Sequence, residues 1–338
     1  MRLTSQLCVW FAAILVATSA VADEGLPPPI GSIDFYGLGP IPRAKAVAQL
    51  PFKLGDQLPR GSPKRNGDAM AHALGVKRVE FAFICCSPDG KVEAYVGIEP
   101  RGSKPLEYNP APDGEQKLPA DLLAAADAHG EAISAAVYAG EAREDDSQGH
   151  ALSSYPPARA QEEKFIAFAR EHADLLRDVL AHAADARLRA VAAEVLAYAP
   201  DKRAVVTPLT RAALDADKGV RNNATRALGV IAEYALAHPE LGIHVDAAPF
   251  VEMLNSVVWT DRNKGSFLLM SLSATRDPVV LEKLRRDALP ALIDMCGWSN
   301  LGHAIGACFM LQRVLGLSDD PSEQSRTLAL EQARRLSR

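Results

Sequence analysis

The sequence predicts an α+β N-terminal domain followed by an all-α solenoid of repeated helix pairs, a chain that is mainly α overall. Three observations carry this. Between Thr207 and Leu311, residues recur at a step of 41: Pro208, Pro249 and Pro290; Arg221, Arg262 and His303; Ala224, Gly265 and Gly306; Leu228, Leu269 and Met310. Inside one unit Phe250, Met253, Leu254 and Val257 fall at i, i+3, i+4 and i+7, which is one helical face. Residues 30–100 have another texture, short alternating apolar runs broken by Gly and Pro. A fixed period near 40 residues with apolar 3–4 spacing marks a helical-repeat solenoid.

Each repeat splits into two helices. The first helices read as 207–217, 248–258 and 289–299, and the second as 220–231, 261–272 and 302–313. The proline stands near the start of each first helix, where a missing N–H costs little; a helix that begins earlier is kinked by it. Ala224, Gly265 and Gly306 are expected where two helices approach closely. An earlier, less regular unit places Leu188, Arg189, Ala192 and Leu196 in register with Val220, Arg221, Ala224 and Leu228 at a step of 32, with Leu175 to His182 as its first helix. The proline in the first helix, the Asp-rich turn (Asp215, Asp217) and the Val220-Arg221 opening resemble the HEAT family in its short bacterial form, over residues 158–338. That resemblance implies a ladder of aspartates and arginines stacking neighbouring units, with Asp217–Arg221 and Asp261–Arg262 in that part and Arg189 in register. His303 departs from it. Arg189, Arg221 and Arg262 are therefore read as ladder residues, or else as binding residues.

Residues 1–22 read as a signal peptide: Arg2, the apolar run 8–16, and Ala20-Val21-Ala22 before a cut between Ala22 and Asp23. The run is shorter than the roughly 20 residues that span a bilayer, and no later run approaches that length. An uncleaved anchor is the weaker alternative. The expectation is a periplasmic or secreted protein with no integral membrane span after cleavage. The leader carries one base and no acid, so its removal leaves 36 basic residues against 42 acidic ones. No basic block exists, which argues against nucleic acid as a partner. Four cysteines remain in a compartment that permits disulfides. Cys296 and Cys308 belong to neighbouring helices of one unit and form one candidate pair. Cys85 and Cys86 sit together on a strand, with side chains expected on opposite faces; a bond between them is the rarer alternative.

Residues 30–100 read as a small domain. It has a strand at 33–36, short helices at 41–50 and 68–74, a strand at 79–85 and a return strand at 91–99, with Val92, Ala94, Val96 and Ile98 on one face. This β-α-α-β-β order, with residues 33–41, the Gly55-Asp56 turn and the Gly75 to Val79 entry, is similar to the POTRA module of exported and envelope proteins. The resemblance implies a sheet edge open to an added extended peptide; the plainer reading is a cap for the solenoid end. Residues 101–157 form the join. It comprises a Pro-rich linker to Pro119, an Ala-rich helix over 121–139 that Gly130 weakens or divides, and the acidic loop 140–150.

The chemistry in the sequence is sparse. No GxSxG, HExxH or P-loop occurs, nor the His-Glu dipeptide that HEAT-like metal oxygenases carry. Asp145, Asp146 and His150 are the weak candidates for a divalent cation, although histidine favours zinc while the loop's oxygens favour calcium or magnesium. A solvated polar loop is the plainer reading. His129 has no partner that the sequence names. No cofactor is indicated. The expectation is a non-enzymatic binding scaffold of the cell envelope, whose partner is another protein or an extended peptide, met on the concave face or a sheet edge. The alternatives are a metal-dependent enzyme or metal-binding protein at the 144–150 loop, and a structural protein with no dedicated ligand.

Overall fold

The computed structural model describes residues 28–59, 61–87, 89–104 and 106–336. The leader and its cut between Ala22 and Asp23 lie outside the described residues. The fold is mainly helical, with twelve α-helices and a small mixed sheet near the N-terminus among the described residues. No described helix is long and apolar enough to cross a membrane. The chain packs into two compact units that do not follow chain order. Unit A is Glu107–Ala247, and unit B joins residues 28–106 to residues 248–336.

Unit B is built on a three-stranded sheet, β1 (Ile30–Tyr36), β2 (Arg78–Ile84) and β3 (Val92–Glu99), in the order β1-β3-β2. β3 is central, parallel to β1 and antiparallel to β2. Two helices, α1 (Arg43–Val47) and α2 (Pro63–Leu74), belong to the same segment. α2 begins five residues earlier than the apolar pattern suggested, because Pro63 fits the first helical turn. One sheet face builds a core with these helices and the segment between them: Phe35, Val79, Phe81, Ala94, Val96 and Ile98 meet Ala46, Phe52, Met70 and Leu74.

The other face is buried too, which the alternation of β3 did not announce. Glu93 and Tyr95 are buried, because the later helices of unit B lie against them. These are α8 (Ala248–Met253), α9 (Trp259–Leu272), α10 (Pro278–Cys296), α11 (Leu301–Val314) and α12 (Glu323–Leu336). Tyr36 Oη donates to Val257 O at 2.8 Å, and Tyr95 packs on Trp259 and Trp298 with ring centroids 5.1 and 5.0 Å away. Gly97 shows how close the approach is: a Cβ there would lie 2.4 Å from Val257 O. α8 pairs with α9 and α10 with α11, and α8 packs on α10 as α9 does on α11. At the last of these contacts a Cβ on Gly306 would stand 3.1 Å from Ser266 O. α9 is buried along its length from Trp259 to Leu269.

The cystines of unit B fall at two places. Cys296 and Cys308 join α10 to α11 with Cα atoms 4.7 Å apart. Cys85 and Cys86 are bonded to each other, and do not point to opposite faces as expected, because β2 ends at Ile84 and its alternation stops there.

Unit A holds α3 (Ala120–Ala139), the two-residue strands β4 (Glu144–Asp145) and β5 (Leu152–Ser153), α4 (Pro156–His182), α5 (Ala186–Leu196), α6 (Lys202–Ala212) and α7 (Lys218–Ala237). α3 runs unbroken through Gly130. α4 is kinked at His172, where the backbone leaves helical angles, and the Leu175 to His182 helix read from the sequence lies in the arm beyond the kink. α4 packs on α3, α5 and α6, while α7 packs on α5 and α6. In α6 and α10 the helix begins earlier than the proline. Asp201 and Asp277 cap these helices earlier, leaving Pro208 and Pro290 inside them.

A Gly97→Ala chain is expected to be less stable by about 1–3 kcal/mol, the usual cost of overpacking a closed contact. Urea denaturation compared with the parent chain measures it.

Candidate functional site

Arg189, Arg221 and Arg262 reach the turns between paired helices. Arg189, on α5, donates from Nη1 to Ala183 O (2.8 Å) and Ala184 O (3.0 Å). Its other edge forks onto Asp215, with Nε to Oδ2 and Nη2 to Oδ1 both at 2.8 Å. Arg221, on α7, repeats the first half, donating to Asp215 O (2.8 Å) and Ala216 O (3.0 Å). Arg262, on α9, donates from Nε to Ser256 O at 2.5 Å. In each case the guanidinium reaches back to backbone carbonyls of the turn beyond the preceding helix, which have no helical N–H to pair with. Asp215 is the carboxylate that takes the fork of Arg189. Asp217 instead caps α7, accepting from Gly219 and Val220.

The residues at the step of 41 share a second contact. A tyrosine from the N-terminal part of the chain lies against each. In unit A the Tyr108 ring lies 3.9 Å from the Arg221 guanidinium carbon. In unit B the Tyr36 ring lies 4.6 Å from that of Arg262. Also in unit B, Tyr95 Oη stands 2.7 Å from His303 Nδ1 and 3.1 Å from Glu93 Oε2. Asn300 donates to Glu93 Oε1, and Ser299 donates from its amide and hydroxyl to Asp34 at 2.8 and 3.0 Å. This buried polar network could not be read from the sequence, because its members are some 200 residues apart.

The 144–150 stretch is a hairpin rather than a solvated loop: Glu144 pairs with Ser153 and Asp145 with Leu152. It does not bring Asp145, Asp146 and His150 together on one ion. Asp145 is exposed and accepts from Ser147 N at 3.0 Å. Asp146 is turned inward. Burial, and then the Glu144 charge, push its carboxyl up to about 7, and neither carboxylate oxygen has a hydrogen-bond partner. Glu144 is tied by Oε1 to Arg226 of α7. His150 stacks toward Tyr198, ring centroids 5.1 Å apart, and its Nδ1 lies 3.2 Å from Lys202 Nζ. Burial and that ammonium push His150 down to about 4, and burial pushes Lys202 down to about 8. Among the described residues no group of three or more His, Cys, Asp or Glu side chains is placed to hold a metal ion.

Sequence reasoning missed one buried charged cluster. His129 of α3 lies between two carboxylates, Nε2 3.1 Å from Glu162 Oε1 and Nδ1 2.9 Å from Glu194 Oε1. Glu162 Oε2 also accepts from Ser153 N at 2.6 Å, so the cluster anchors β5. Burial opposes the imidazolium, but the hydrogen bonds to Glu162 and Glu194 outweigh it and raise the pKa to about 9. The spacing gave no signal, since the three residues come from three helices.

Three outcomes follow. His129 contributes fully to stability below its ordinary pKa of 6.5 and loses that contribution as pH rises through about 9. The parent chain should therefore lose on the order of 3 kcal/mol between those limits relative to His129→Gln, read from urea midpoints at each pH. Asp146, raised from 3.8 to about 7, costs stability progressively as pH rises between those values, because the unfolded carboxyl ionises first. Asp146→Asn should be more stable at pH 8 by about 1–3 kcal/mol and nearly neutral at pH 4, measured by thermal melting. Arg189→Ala leaves Asp215 buried without its fork and should cost about 3–5 kcal/mol in urea denaturation. Compared with known proteins, the chain matches no family model and no curated protein.

Proposed function

We infer that this protein is a non-enzymatic, protein-binding scaffold of the cell envelope, built as a HEAT-like solenoid with a small POTRA-like α+β domain. The observation that carries the reading is the packing of the helix pairs. In unit A, α4 packs on α6 and α5 on α7; in unit B, α8 packs on α10 and α9 on α11. First helices on first and second on second is the stacking of a helical repeat, whose use is to present an extended surface to a partner. The arginines at the turns support a structural role for themselves, since backbone carbonyls and tyrosine rings engage them. The envelope location rests on the leader of residues 1–22. The available surface is narrower than a bare solenoid's, because α9 is buried and β3 is covered on both faces.

The test is a cross-linked pull-down of the mature chain, residues 23–338, from its own envelope fraction. Recovery of a protein partner at fixed stoichiometry, competed by unlabelled chain, is the expected result. A chain recovered alone across cross-linkers of differing reach would overturn the reading.

A further inference from the structure

The segment between Glu107 and Leu118 has no helix or strand of its own, yet it is tied to unit A at regular places. Asn109 N donates to Leu214 O at 2.6 Å, and its side-chain amide donates to Arg211 O at 2.9 Å. Five residues on, Gly114 N donates to His182 O at 2.8 Å and Gly114 O accepts from Ala184 N at 2.8 Å, a parallel bridge to Ala183. His182 and Leu214 are 32 residues apart, the step that relates the two repeats of unit A in sequence. The same backbone carbonyl of two successive repeats thus takes an N–H from one extended segment. His182 ends α4 and Leu214 lies just past the end of α6, where carbonyls lack intrahelical donors and are ready acceptors. Beside the first contact the Tyr108 ring covers Arg221. At the second, the segment passes so close that a Cβ on Gly114 would lie 2.5 Å from His182 O.

We propose that the turns of unit A form a track for an extended peptide, and that residues 107–118 are its resident intramolecular occupant. The track recognises backbone N–H groups spaced five residues apart, an aromatic ring that stacks on Arg221, an asparagine next to it, and a glycine where the peptide crosses His182. This is strand-like recognition by main-chain hydrogen bonds, with side chains setting specificity, here on a row of repeat turns rather than a sheet edge. The partner it fits is an extended segment of another protein with an aromatic-Asn-x4-Gly pattern. The track must first be vacated, so the resident segment lowers the apparent affinity for any competitor by the fraction of time it is bound. The external partner rests on the scaffold reading; the track itself does not.

The test uses a fluorescein-labelled peptide of residues 106–117, titrated by anisotropy onto three full-length chains. These are the parent, Tyr108→Ala, and the triple variant Tyr108→Ala, Asn109→Ala, Gly114→Val, whose substitutions weaken the resident segment and leave the track intact. Circular dichroism follows folding, and hydrogen exchange at 107–118 follows release of the segment; the single variant keeps the test alive where the triple one does not fold. The expected result is one bound peptide per released chain, at an affinity at least about tenfold above the parent's, and no binding of the same peptide carrying Gly114→Ala. The proposal is overturned if the folded, released chain binds no peptide, if 107–118 stays protected in both variants, or if the alanine peptide binds equally. Peptide binding with an empty pull-down would sink the scaffold reading and leave the track standing.

Discussion

The turn between paired helices is the place on which the rest of this structure depends. The turn that follows a helix carries backbone carbonyls that no helical N–H reaches, and leaving them buried and unpaired costs free energy. Arg189 and Arg221 each reach back five and six residues to supply a donor, and Arg262 does so six residues back. A guanidinium suits this task because it stays charged, donates from a rigid fork and presents a flat face. The fork holds the turn while the face is left for an aromatic ring, which Tyr108 and Tyr36 supply. At the corresponding position His303 has no such fork, and the tyrosine that meets it, Tyr95, binds through its hydroxyl instead.

The same constraint explains why unit B joins the two ends of the described chain. β3 carries apolar residues on one face and Glu93, Tyr95 and Gly97 on the other. Covered only by α1 and α2, it would leave the second face in water. The turns around Val257 and Trp298 cover it, and the polar groups find partners there: Tyr36 on Val257 O, Asp34 on Ser299, Glu93 on Asn300. A buried polar group without a partner costs more than a made hydrogen bond returns. These pairs therefore set the register of sheet on helix as well as adding to its stability.

In unit A, charges are settled by competition between burial and pairing. At His129 pairing wins, since two carboxylates face one ring. At Asp146 burial wins, since the base that opposes it, Arg226, is already engaged by Glu144. His150 has an ammonium for a neighbour and stays neutral. The acids of the 144–150 hairpin thus have separate roles, although adjacency in sequence made them look like one ligand set.

The sequence by itself determined the helical repeat spacing, the two textures of the chain, the β2–β3 hairpin, and the positions Arg189, Arg221 and Arg262 at equivalent places. These are legible because they rest on local periodicity, which a chain carries wherever it is placed. It also marked Cys296 and Cys308 as neighbours through the helices that bear them. Only the tertiary structure decided that β3 is buried on both faces, that Asp215 faces Arg189 while Asp217 caps α7, and that Asp145, Asp146 and His150 diverge. It alone decided that His129 meets Glu162 and Glu194. Those outcomes depend on contacts between segments tens to hundreds of residues apart, and the energy of such contacts leaves no periodic trace in the chain.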